Sequence, residues 1–410
     1  MSRARIRPGT IALWVVFIAV HAVVAWFGWV LPSQPMGDVV LVYQPWSHSA
    51  LSGGAIMGIT ESWVYPQLAL IPMVIAYLLS LPLVGAMGSL GAYLIAWAVL
   101  VTALDLVGFA VLVGRGRTHR RRIAGWFWCG ALLLLGPIAM YRLDAVTVPL
   151  AIIGGLWLAT RPAVGTALLT VGAWIKIWPA ALVLAAIIAV KQRIRVLLTA
   201  AAVTAGIIVV LFLLGADSAL FGFLGQQTGR GLQIEAVAAT PFLWMAASGQ
   251  ASIAYSQEIL TFQIGAPGAA VVSTLLTPLM ALVVIAVAVF GAVKAARGAT
   301  WQRLFPPLAL TLVTLLIVTN KVGSPQFQTW LFAPIILWLV LDRARAVTPA
   351  LLVLGLCALT FLVYPLTYDA LLRAEPLPVL LLTVRNILLV VLAVVGIGAV
   401  LRVPAAGRNR

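Results

Sequence analysis

The sequence predicts an all-α integral membrane protein, and three observations carry that prediction. Of 410 residues, 63% are hydrophobic and 9% charged, against roughly 45–50% apolar and 25% charged in a soluble globular chain. Apolar runs of about 20 residues, the length that crosses roughly 30 Å of hydrocarbon, recur along the chain. The basic residues fall in short clusters between those runs, as they do in cytoplasmic loops. Topology therefore explains the net charge of +16, and no nucleic-acid partner is expected.

The elements follow in order. Ile11 to Leu31 is the first apolar run; it lacks a small-residue cleavage site and is expected to be a retained helix, not a signal peptide. Residues 32–87 form the first outer loop. Within it, Tyr65 to Leu81 is short and contains Pro66 and Pro72, so a juxtamembrane or re-entrant hairpin is expected there. A crossing at that point would send the basic stretch Arg115 to Arg122 outside. Further spans are expected to begin near residues 88, 125, 145, 163, 177, 196, 269, 304, 329, 349 and 379, giving about 12. Those at 163 and 177 can also be one kinked helix, although parity with the basic loops favours two. The other substantial outer loops are 216–268 and 366–378.

Seven clusters hold 20 of the 26 Lys and Arg: Arg3 with Arg5 and Arg7, Arg115 to Arg122, Arg161, Lys191 to Arg195, Lys294 to Arg303, Arg343 with Arg345, and Arg402 to Arg410. Placing all of them inside puts both termini in the cytoplasm. Residues 1–410 then form one polytopic domain of a multi-pass plasma-membrane protein. Cys129 and Cys357 both fall inside spans, so no disulfide is expected.

Eight of the ten acids lie on or near the outer face: Asp38, Glu61, Asp144, Asp217, Glu235, Glu258, Asp369 and Glu375. Arg142, Lys176, Arg230, Lys321 and Arg373 lie at outer ends of spans or in outer loops, and Arg385 sits several residues into the last span. A charge at that depth is costly unless it is paired or lines a polar cavity, so these bases are candidates to receive a phosphate.

Six motifs follow one another along nearly the whole chain: GDVVLVYQPW (37–46), ESWVYPQLAL (61–70), RLD (142–144), GAWIKIWP (172–179), RGLQIEAV (230–237) and KVGSPQFQTWL (321–331). Their order resembles the GT-C glycosyltransferases, and within them glycosyltransferase family 87, the polyprenyl-phosphate-mannose-dependent mannosyltransferases of actinobacterial envelopes. The resemblance implies a GT-C fold, a polyprenyl-phosphate sugar donor, and a glycolipid acceptor such as a phosphatidylinositol mannoside or lipomannan. It makes Asp38 the catalytic base.

The chemistry agrees. A hydroxyl attacking an anomeric carbon needs a carboxylate to take its proton. The leaving group is already a phosphate, so it requires nearby positive charge and no general acid. Direct displacement inverts the centre, from a β-linked donor to an α-mannoside. No DxD, HExxH or Cys/His ligand set occurs, so neither a metal nor another cofactor is expected.

Each candidate has a plainer alternative. Asp38 after Gly37 can cap a helix. Tyr43, Trp46 and Trp63 can stack on sugars, but the interfacial aromatic belt is the preferred reading. His48 can hydrogen-bond a sugar or phosphate and Glu61 an acceptor hydroxyl, and each is read equally as a solvated loop residue. Arg142 and Asp144 can pair with each other, and so can Arg230 and Glu235, which are otherwise expected to shape the acceptor side. Lys176, Lys321 and Arg385 are the expected phosphate ligands; Lys321 can instead snorkel, and Arg385 can pair with a carboxylate or a helix carbonyl. A lipid-sugar transporter is the rival function, disfavoured because no paired repeat of broken helices is found. A GT-C transferase of another sugar is the third reading.

Overall fold

The computed structural model describes residues 8–114, 118–223, 225, 230–256 and 261–404. Arg3, Arg5, Arg7, residues 115–117, Glu258 and the tail 405–410 lie outside the described residues. The chain is 78% helical, as an all-α membrane protein requires. Eight helical segments among the described residues are long and apolar enough to span a membrane. They fall where spans were expected to begin near 11, 88, 125, 196, 269, 304, 349 and 379.

The elements are α1 (Pro8–Val30), α2 (Gln44–Leu51), α3 (Leu70–Ser80), α4 (Val84–Val113), α5 (His119–Leu135), α6 (Asp144–Trp157), α7 (Pro162–Ile175), α8 (Pro179–Ala189) and α9 (Arg193–Leu213). After them come α10 (Thr240–Ala247), β1 (Ser252–Ser256), β2 (Thr261–Gly265), α11 (Ala269–Ala296), α12 (Trp301–Val318), α13 (Phe332–Leu341), α14 (Arg343–Phe361), α15 (Tyr368–Leu372) and α16 (Pro376–Leu401).

The other four expected starts, near 145, 163, 177 and 329, fall on shorter apolar helices: Asp144–Trp157, Pro162–Ile175, Pro179–Ala189 and Pro325–Leu341. A 14-residue helix such as α6 is about 21 Å long at 1.5 Å per residue, less than the hydrocarbon thickness. The short helices form the interior: nearly every residue of α6 and of α13 is buried. The long α9 and α11 lie at the rim, each 11% buried. α7 and α8 are separate helices, broken where Lys176 turns extended (φ −149°).

Helix α3 is folded back on α4. The Tyr93 hydroxyl donates to the Met73 carbonyl at 3.1 Å, although a straight helix would separate these residues by about 30 Å. Gly88 makes the bend, with a φ of 71° that side-chain-bearing residues rarely adopt. The fold-back thus turns at Gly88, outside the Tyr65 to Leu81 stretch where a hairpin was expected, and within that stretch Leu70–Ser80 is one helix.

The 216–268 loop holds an element that the sequence did not reveal. β1 and β2 pair antiparallel, Ser252 with Gly265 through Ser256 with Thr261. β1 (Ser-Ile-Ala-Tyr-Ser) does not alternate, and β2 (Thr-Phe-Gln-Ile-Gly) alternates over only five residues, so the period-2 signal is short and one-sided.

The core between α1, α4 and α5 is aromatic: Phe17 of α1 stacks on Phe109 of α4 at 3.8 Å, with Trp128 of α5 edge-on to Phe17 at 5.2 Å. α5 ends at Gly136, whose φ is 66° and where an added Cβ would lie 2.5 Å from the Phe361 ring. That turn leads the chain into Arg142.

Spin labels at the exposed positions Ile71 and Val99 test the hairpin. We expect a separation under about 25 Å, against about 42 Å for a straight helix.

Candidate functional site

The loops after α1, before α6, between α7 and α8, before α10 and before α13 converge at one end of the bundle, and buried charges join them. Asp38 precedes α2, with a side chain 39% exposed, and its Oδ2 lies 3.3 Å from Nε of the buried Arg142. Arg142 Nη1 also donates to the Pro35 carbonyl at 2.8 Å and to the Tyr141 carbonyl at 2.9 Å. Its Nη2 donates to the Tyr364 hydroxyl at 3.5 Å. Tyr364 in turn donates to the Ser33 carbonyl at 2.9 Å. Burial alone would lower the Arg142 pKa, but Asp38, Tyr364 and Tyr43 together outweigh it and hold the guanidinium above its ordinary value. Asp38 therefore sits against a fixed cation while one flank stays open.

Asp144, the first residue of α6, is closed off. Lys176 Nζ lies 3.3 Å from its Oδ2, and Trp330 Nε1 donates to its Oδ1. The same ammonium sits 4.4 Å from the centre of the Tyr65 ring, a cation–π contact. Burial depresses the Lys176 pKa, and Asp144 more than restores it. Two acid–base pairs thus stand side by side, both anchored near the start of α6.

A third pair lies farther along. Arg385, in α16, donates from Nη1 to Glu235 Oε2 at 2.7 Å and from Nη2 to the Glu235 carbonyl at 2.6 Å. Its Nη2 and Nε also reach Asn386 Oδ1, at 2.8 and 3.1 Å. Asn386 Nδ2 donates to Thr240 Oγ1 at 2.8 Å. Burial pushes the Glu235 carboxyl up, and the Arg385 charge opposes that shift.

The backbone of RGLQIEAV is held on both sides. Ile264 N–H donates to the Leu232 carbonyl at 3.0 Å, extending the β1–β2 pair, and Gln233 N–H donates to the Lys321 carbonyl at 3.0 Å. Gly323 packs so closely on Glu235 that an added Cβ would fall 2.1 Å from its carbonyl carbon.

The geometry reassigns several pairings expected from sequence. Arg142 pairs with Asp38, and Asp144 with Lys176, not with each other. Glu235 pairs with Arg385, not with the neighbouring Arg230. Arg385 makes the carboxylate and carbonyl contacts that were its alternative to phosphate binding. The belt reading fails for Tyr43 and Trp63, which are 1% and 2% exposed. Tyr43 packs on Trp97 at 5.0 Å, and its hydroxyl accepts from Leu143 N–H at 3.3 Å. Half-buried Trp46 meets Trp63 edge-on at 5.2 Å and Tyr65 at 6.1 Å.

His48 is exposed and pairs through Nδ1 with the Tyr77 hydroxyl at 2.8 Å. Glu61 is exposed, and its carbonyl accepts from Gly58 N–H. Lys321 is buried. Arg230 is partly buried, with an Nε that has no hydrogen-bond partner among the described residues; burial lowers its pKa, and Tyr65 acts against that. Tyr65, Trp330, Tyr364 and Asn386 complete the site. Tyr65 and Trp330 stand inside motifs already singled out, Asn386 adjoins Arg385, and Tyr364 carried no signal.

Comparison with protein-family models, curated proteins and solved structures returns no match.

Removing one partner of a buried pair strands a charge, at a cost of about 3–5 kcal/mol. Glu235→Leu is therefore expected to lower the thermal midpoint sharply, with partial recovery when Arg385→Leu is added, in a double-mutant cycle of unfolding. Lys176 has a raised pKa, so its contribution is complete below about pH 10.4 and is lost as pH rises through the folded value. Alkaline unfolding of the native protein, referenced to Lys176→Met, is expected to show the extra loss only above that pH.

Proposed function

We propose that this chain is a GT-C membrane glycosyltransferase of the family 87 type. It transfers mannose from polyprenyl-phosphate-mannose to a lipid-anchored mannoside on the outer face of the plasma membrane. Asp38 carries the proposal: it is fixed by a buried guanidinium, open on one flank, and adjacent to a second acid, Asp144, that is closed off. A base must be positioned and also reachable, and Asp38 meets both needs.

In this reaction the acceptor hydroxyl gives its proton to Asp38 while its oxygen bonds to the anomeric carbon. The bond from that carbon to the phosphate oxygen breaks, and the electron pair leaves with the polyprenyl phosphate. The configuration inverts. Arg142 holds the carboxylate in place.

Charge on the leaving phosphate calls for a cation that is not already neutralised. Lys176 and Arg385 are each engaged with a carboxylate. Arg230, whose Nε lacks an acceptor among the described residues, is the better phosphate ligand, with Lys321 as its neighbour across the Gln233 contact. Glu235 and Arg385 then act by holding the loop that carries Arg230. Trp46 offers a partly open aromatic face to a sugar. The prenyl chain would lie along the bilayer-facing surfaces of α9 and α11, on either side of the shorter α8. The donor already carries its activating phosphate, so the reaction needs neither metal nor cofactor.

The test uses purified protein in lipid, labelled polyprenyl-phosphate-mannose and a panel of lipid mannosides. Asp38→Asn in a folded chain is expected to slow transfer by about 10²–10⁴-fold. Arg230→Gln is expected to raise the apparent donor KM by about 10-fold or more. No transfer by the native protein with any mannosyl donor and acceptor pair would overturn the reaction and favour a transporter. Undiminished transfer by Asp38→Asn would leave Asp38 as a structural partner of Arg142.

A further inference from the structure

Away from the loop end, one titratable pair takes no part in the proposed chemistry. His21 of α1 and Asp105 of α4 face each other inside the bundle, with side chains 3% and 4% exposed. His21 Nδ1 lies 2.8 Å from the Phe17 carbonyl oxygen, and Nε2 lies 3.1 Å from Asp105 Oδ2. The Phe17 ring covers one face of the imidazole at 4.4 Å. The small cavity beside the pair is otherwise lined by Val24, Leu132, Ala139 and Met140. α5 and the 136–141 segment therefore bring only apolar side chains to it. Among the described residues, no charged group other than the two partners acts on either one.

Hydrogen-bond chemistry fixes the proton count. A carbonyl oxygen only accepts, so Nδ1 must carry a hydrogen. Nε2 and Oδ2 can then form their bond only if one further proton lies between them. With none, two lone pairs face each other and an isolated anion sits among hydrocarbon side chains. With two, donors clash and a net cation is buried. Both alternatives carry an uncompensated charge that an apolar cavity penalises heavily. The one-proton state is neutral overall whichever atom holds the proton.

We propose that His21 and Asp105 form an insulated single-proton clasp, which fastens α1 to α4 and keeps its proton throughout the physiological pH range. α1 leads through Leu31 to Gly37 into Asp38, and Ala139 and Met140, which line the cavity, lead into Arg142. The clasp therefore sets the backbone beneath both partners of the Asp38–Arg142 pair. It is a positioning device, and it does not rest on the proposed transfer reaction.

The full chain has 3 histidines, so ¹⁵N-histidine labelling in lipid bilayers resolves the question, with His48→Gln and His119→Gln assigning the signals. His48 and His119 are exposed and supply the solvent-accessible reference signals, with spectra recorded from about pH 5 to 9. His21 is expected to keep a protonated Nδ1 and an unchanged signal over that range. If the His21 signal shifts across that range, the clasp is not insulated and the proposal falls.

A second measurement bears on fastening. Asp105→Asn supplies an amide N–H to Nε2 in place of the shared proton and is expected to keep the thermal midpoint near native. Asp105→Ala is expected to lower it by roughly 5 °C or to prevent folding. An Asp105→Asn chain as impaired as Asp105→Ala would overturn the role of the shared proton.

Discussion

A charge sunk into the end of an apolar bundle has to be cancelled within a few ångströms, and that requirement organises the loop end of this protein. At low effective dielectric a lone carboxylate or guanidinium is far costlier than it would be in water, whereas a contacting pair recovers much of the loss. Each of the three pairs joins segments distant in sequence: the exit of α1 to the entry of α6, the entry of α6 to the α7–α8 break, and the 230–237 loop to α16. The loops are held in place by electrostatic necessity, since none can move without stranding its partner. Backbone bonds from Leu232 and Gln233 to β2 and Lys321 then set the finer position of the 230–237 segment.

Within that framework exposure differs from pair to pair, and the difference gives the end its chemical character. Asp144 and Glu235 are walled in, by Trp330 and Lys176 in one case and by Arg385 and Gly323 in the other. Asp38 alone of these three carboxylates keeps a solvent-facing flank. Under the proposed reaction this division has a simple logic. Closed pairs supply rigidity, the open pair supplies a base, and the guanidinium left over, Arg230, supplies charge for a leaving phosphate. Deeper in the bundle, the His21–Asp105 contact meets the same requirement with a proton in place of a second fixed charge.

The helices divide the work in a related way. The long α1, α9, α11 and α16 span-length elements meet the surrounding apolar medium, while the short α6 and α13 are enclosed. Enclosed helices need not match a bilayer thickness, so their lengths answer to packing and to where their ends must present Asp144 and Trp330.

Hydropathy is a local property, and for that reason the sequence by itself determined the membrane class and the positions of the eight helices long and apolar enough to span a membrane. It also made Asp38, Arg142, Asp144, Lys176, Glu235 and Arg385 stand out, because charge in an apolar context is visible one residue at a time. Only the tertiary structure decided who pairs with whom: Glu235 meets Arg385 across 150 residues of chain, and neighbours in sequence such as Arg142 and Asp144 turn to different partners. Tyr43 and Trp63 looked like interfacial aromatics because an apolar chain offers little contrast between an interface and a core. The β1–β2 hairpin and Tyr364 gave no clear local signal, since two five-residue strands and a tyrosine without a motif acquire meaning only from what folds against them. Pairing and burial depend on distance in space, which a one-dimensional pattern does not encode.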